Sequence, residues 1–120
     1  MTRLRLAIVG DGKMGRAVRE LADAAGFDVV AFLGEQDVSS TGPTSAQLAG
    51  AQVAIEFTVP LAAAANVLAC VKAGVPVVCG TTGWDADRAR VEASVRAAGG
   101  AMFWSPNFSV GVHLFVRMVE

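Results

Sequence analysis

Five short apolar runs, each closed by glycine or by a polar turn, divide the chain: Leu4–Val9, Asp28–Leu33, Val53–Phe57, Val75–Cys79 and Ala101–Trp104. The first is almost wholly apolar and rich in branched residues, as expected of a strand covered on both faces in a parallel sheet. Between the runs the period lengthens. Met14, Val18, Leu21, Ala22 and Ala25 recur at helical spacing, Arg16, Arg19, Glu20 and Asp23 fall mostly between them, and Gly26 supplies a left-handed stop. Ser39–Pro43 reads as loop, with Thr44 or Ser45 capping a short helical turn through Leu48. Pro60 opens a helix that runs to Ala73 and stops at Gly74, and its many alanines let it lie close to a sheet. Asp85 is the expected cap of the next helix, which carries Val91 and Val95 on one face and ends at Gly99 and Gly100. From Ser109 the pattern is that of a final helix running to Glu120.

Strand and helix alternate throughout, which predicts one α/β domain over residues 1–120: a Rossmann-type open parallel sheet with helices on both faces. In such sheets ligands sit beyond the carboxyl ends of the strands, where the strand order reverses. That rule selects the loops Gly10–Gly15, Gly34–Gln36, Thr58–Pro60, Gly80–Gly83 and Ser105–Phe108.

Composition narrows the classes. With 120 residues, 53% hydrophobic and 18% charged, the chain can bury a core, and a net charge of -1 leaves no basic excess for nucleic acid. The run Leu6–Val9 is too short for a signal peptide or a membrane span, so a cytoplasmic protein without a membrane partner is expected. Cys70 and Cys79 lack CxxC spacing and a nearby histidine; buried reduced thiols are expected, and no metal site.

The first loop reads Gly10-Asp11-Gly12-Lys13-Met14-Gly15, a G-x-G-x-x-G that follows a strand and opens a helix. Gly10 permits the tight turn, Gly12 lets the backbone approach a pyrophosphate, and Gly15 lets helix and strand pack closely, with helix amides facing the anion. Lys13 either adds charge beside a phosphate or is a solvated lysine. Glu35, just after the second strand, is a candidate for the adenosine ribose hydroxyls, against a solvated loop glutamate. No arginine follows it to receive a 2'-phosphate, which leans toward NAD. Gly80, Thr81, Thr82 and Gly83 offer amides and hydroxyls for a carboxamide or carboxylate, or form an ordinary threonine-capped turn; Asn107 is similarly two-sided. Glu56, in an apolar strand, needs partners, expected to be backbone amides. His113, the only histidine, reads as structural.

Taken in order, IVGDGKMG, EFTVP from Glu56, GTTGW from Gly80 and SPNFSVGV from Ser105 make this chain resemble the N-terminal half of the dihydrodipicolinate (4-hydroxy-tetrahydrodipicolinate) reductases of lysine and diaminopimelate biosynthesis. The resemblance implies a homotetrameric reductase of a cyclic dicarboxylate that uses NADH or NADPH. It assigns the pyrophosphate to Gly10, Asp11, Gly12, Lys13, Met14 and Gly15. The nicotinamide side falls to Gly80, Thr81, Thr82, Ser105, Pro106, Asn107 and Phe108. Phe57 and Thr58 would line the pocket, and Thr82 would also lie beside the substrate. The first loop is one residue shorter than the G-x-x-G-[RK]-[MV]-G of many members, Glu56 stands where aspartate is common, and Gly34 where an acid is common. The family's catalytic segment, with its histidines and lysine, has no counterpart before Glu120, and its C-terminal substrate and tetramerisation domain is expected to lie outside these 120 residues. The expectation is therefore a cofactor-binding domain with no catalytic residue of its own, which binds nucleotide weakly and turns over nothing. Two alternatives stay open: another two-domain NAD(P)-dependent oxidoreductase, and a non-catalytic NAD(H)-sensing module.

Overall fold

The computed structural model describes residues 3–106. Its elements are β1 (Leu4–Val9), α1 (Lys13–Ala22), β2 (Phe27–Leu33), α2 (Ser45–Leu48), β3 (Val53–Glu56), α3 (Pro60–Lys72), β4 (Val77–Cys79), α4 (Asp85–Ala97) and β5 (Met102–Trp104). All strand pairs are parallel, in the order β2-β1-β3-β4-β5. Every predicted strand is present, with ends within two residues of the apolar run that announced it.

Alternation along β1 explains how the sheet is covered. Ala7 and Val9 join Leu48, Ala63, Val67, Cys70, Val91 and Val95, so α2, α3 and α4 cover one face. Leu6 and Ile8 join Val18, Ala22, Phe27, Val53, Ile55 and Val78, so α1 covers the other. Leu6, Ala7, Ile8 and Val9 are buried, which is why the run carries no polar residue beyond Arg5.

Three local expectations need correction. The buried stripe of α1 is Gly15, Val18 and Ala22, while Leu21 is 57% exposed: the helix packs through its smallest residues, and the bulkier leucine falls outside the contact. The helix also ends at Ala22 rather than Ala25, although Gly26 does adopt positive φ (91°). Asp85 does not cap α4. Trp84 occupies that position, and Asp85 is the first helical residue, paired at 3.4 Å with Arg88 and, with Asp87, placing negative charge at the helix start. Thr44 does cap α2, in a reciprocal box with Gln47. The final helix expected from Ser109, with His113, lies outside the described residues, as do Asn107 and Phe108.

Candidate functional site

The sheet ladder runs one step past the strand ends and delivers four loops to one edge. Gly10 N–H donates to Leu33 O (2.7 Å), Phe57 N–H to Val9 O (2.9 Å), Gly80 N–H to Glu56 O (2.8 Å) and Ser105 N–H to Cys79 O (3.1 Å). Strand order reverses between β1 and β3, and a cavity of about 480 Å³ opens there. Gly10, Asp11 and Gly12 line it from the β1 loop, Leu33, Gly34 and Glu35 from β2, and Phe57, Thr58 and Val59 from β3.

The three glycines of the first loop are used differently. A Cβ on Gly15 would stand closer to Gly10 O than the 3.0 Å that real Cβ atoms keep, so α1 presses directly on the β1 turn. A Cβ on Gly10, where φ is +123°, would collide likewise with Phe57 O. At Gly12 nothing lies within 4 Å of such an atom; this glycine, which precedes the first turn of α1, faces open space. The steric sequence continues across the sheet, because a Cβ on Gly80 would enter the ring of Phe57. Phe57 thus lines the cavity and at the same time presses on the β4 turn.

That ring explains the division of the predicted residues. Gly10, Asp11, Gly12, Glu35, Phe57 and Thr58 surround the cavity, whereas Gly80, Thr81, Thr82, Ser105 and Pro106 stand outside it. Lys13, Met14 and Gly15 belong to α1 and do not line it; Lys13 is exposed. The cavity also draws on Val38, Ser39, Ser40, Ala62 and Asn66, which the sequence did not single out. The polar loop Ser39–Pro43 was the available signal for the two serines, and nothing marked Asn66 within its alanine-rich helix.

Asp11 compensates for a missing side chain. The space a Cβ on Gly34 would take is filled by the Asp11 carboxylate, and Gly34 N–H is held by Asp37 Oδ2 at 2.7 Å. Among the described residues no lysine or arginine lines the cavity, so Asp11 and Glu35 leave its β2 end acidic.

Glu56 is fully buried, and its partners are side chains rather than the expected backbone amides. Oε1 accepts from the Thr81 hydroxyl and from Cys79 Sγ (3.2 Å); Oε2 accepts from the Thr58 hydroxyl and from Asn66 Nδ2 (3.1 Å). The Phe57 and Gly80 amides at these strand ends are taken by the ladder and Thr58 N–H by Thr81 Oγ1, and the donors that reach Glu56 are hydroxyl, thiol and carboxamide groups. Thr81 Oγ1 in turn accepts from Thr58 N–H at 2.8 Å, tying the β3 loop to the β4 loop. Burial, and secondarily the Glu56 charge, pushes the Cys70 thiol up to about 12 and raises that of Cys79 as well. Both cysteines are reduced and buried, and among the described residues no cluster of metal-ligating side chains exists. Among the described residues no helix is long and apolar enough to cross a membrane.

Comparison with known proteins bears on this edge directly. Residues 4–108 match the family described as dihydrodipicolinate reductase, N-terminus. The chain belongs to that family. Relatives named 4-hydroxy-tetrahydrodipicolinate reductase include those of Beutenbergia cavernae, 42% identical over 95% of this chain and 46% of the relative. Those of Thiobacillus denitrificans (38%, 98% and 51%) and Streptomyces coelicolor (37%, 100% and 48%) are similar. The chain spans about half the length of the curated relatives it matches. The family match covers β1 through Phe108, and so includes all four loops that the ladder brings together.

Proposed function

We propose that this chain supplies the cofactor-binding domain of a reductase that converts 4-hydroxy-tetrahydrodipicolinate to tetrahydrodipicolinate with NAD(P)H, in lysine and diaminopimelate biosynthesis. The carrying observation is the cavity at the reversal of strand order, floored by a glycine turn whose middle glycine faces open space. A dinucleotide fits that arrangement: Gly10 and Gly15 set the turn, and Gly12 admits the pyrophosphate beside the start of α1. Bound there, the nicotinamide supplies a hydride. The chain's own residues do the holding: Gly10–Gly15 take the pyrophosphate, Glu35 the ribose hydroxyls, and Phe57 and Thr58 wall the cavity. Thr81, Thr82, Ser105, Pro106, Asn107 and Phe108 complete the nicotinamide side, with Thr82 nearest the small cyclic dicarboxylate. The parent enzyme is a homotetramer in this reading.

Gly12→Ala separates binding from folding. The new methyl meets no atom, so stability stays within about 1 kcal/mol. It occupies the space the pyrophosphate needs, so NADH affinity measured by calorimetry falls on the order of tenfold or more. Undiminished affinity in a folded variant would remove the glycine turn from the site.

The acidic β2 end supports NADH over NADPH. A 2'-phosphate there would face the Asp11 and Glu35 carboxylates with no cation among the described residues of the lining. Like-charge contact of this kind disfavours NADPH by about tenfold or more in side-by-side titrations. Equal affinity for the two nucleotides would show that the carboxylates lie away from the ribose.

A further inference from the structure

We propose that Trp84 and Trp104 are positioning residues: together they turn the Thr81–Thr82 peptide so that Thr82 N–H faces outward as a donor for the nicotinamide carboxamide. This rests on the dinucleotide reading above and adds to it two residues that do not line the cavity. Both indole N–H groups donate to the same atom, Thr81 O, each at 2.8 Å. A carbonyl oxygen has two lone pairs, and both are engaged. The two rings reach that oxygen from different elements, Trp84 from the start of α4 and Trp104 from β5 at the sheet edge, where the Arg88 guanidinium covers its ring at 3.7 Å.

The rest of Thr81 is held as firmly. Its hydroxyl donates to Glu56 and accepts from Thr58 N–H, and the residue is 4% exposed, whereas Thr82 is exposed. No cis peptide occurs among the described residues, and in a planar trans peptide the C=O and N–H point in opposite directions. With the Thr81 carbonyl drawn inward onto two indoles, the Thr82 N–H of the same peptide is directed away from the core. A backbone N–H donates to an amide or a carboxylate oxygen alike, and on the dinucleotide the nicotinamide carboxamide carries such an oxygen. The indoles therefore act on the ligand through Thr81 alone.

The test uses two ligands that share the adenosine half and differ in the nicotinamide: NADH and ADP-ribose. Each is titrated by calorimetry into the chain and into W84F, W104F and the double variant, where phenylalanine keeps an aromatic ring and removes the N–H. In the double variant NADH affinity is expected to fall roughly tenfold while ADP-ribose affinity changes by less than about twofold. Retained ADP-ribose binding also reports that the cavity is intact. Equal weakening of both ligands, or unweakened NADH binding, overturns the positioning role. If the unsubstituted chain binds ADP-ribose but NADH no more tightly, the dinucleotide cavity stands and the carboxamide contact falls. If it binds neither, both readings fall together.

Discussion

Gly15→Ala will lower the stability of the chain by about 2–4 kcal/mol, read as a shift of the urea midpoint at unchanged slope. Helix propensity alone predicts the opposite sign, since alanine is favoured over glycine inside a helix by about 1 kcal/mol. Sterics decide the outcome. The added Cβ would meet Gly10 O, a backbone atom, so no side-chain rotation relieves the contact. Relief requires α1 to lift from β1, which opens the packing of Val18 and Ala22 against Leu6 and Ile8. Nucleotide binding should fall with it, in contrast to Gly12→Ala, where only binding suffers. A Gly15→Ala variant as stable as the parent would mean that α1 does not rest on the turn.

Glu56→Gln should be the next most damaging change, costing about 2–3 kcal/mol and lowering the thermal midpoint by roughly 10 °C. The shape is almost unchanged, so cavity formation contributes little. The carboxylate accepts from two hydroxyls, a thiol and a carboxamide, and has no cation paired with it among the described residues. Glutamine replaces one acceptor with an NH2 group that faces donors. The threonine hydroxyls can turn, but Thr81 is already held by Thr58 N–H, and Asn66 Nδ2 has no acceptor face to offer. An unchanged midpoint would show that the donors re-pair freely and that the charge is dispensable.

The architecture was largely legible in the sequence because each strand is a local signal: a short apolar run closed by a turn residue. Glycine spacing likewise located the turn at Gly10–Gly15, because its demands are on backbone shape. Less was readable where the answer depends on which side chains meet. Glu56 was recognised as needing partners, but Thr58, Asn66, Cys79 and Thr81 come from three later segments and share no pattern. Asp11 filling the space over Gly34, and two tryptophans meeting on one carbonyl, are likewise products of tertiary packing. Leu21 shows the converse, since its spacing was right for a buried face and the close approach of Gly15 and Ala22 left it outside. The Phe57 ring against Gly80, which sets the β4 turn apart from the cavity, had no sequence signature at all.

The contacts from Gly15 to Gly10, Gly10 to Phe57 and Phe57 to Gly80 cross three strands and a helix without a gap. Their consequence is evolutionary. Each position limits what its neighbour can become: a side chain at Gly10, Gly15 or Gly80 collides while the neighbouring atoms stay where they are. Gly80 can acquire a side chain only after the aromatic ring at 57 has shrunk, and Gly10 only after the β3 backbone has moved. Space for a side chain stays open at Gly12, where an added Cβ would meet no atom within 4 Å.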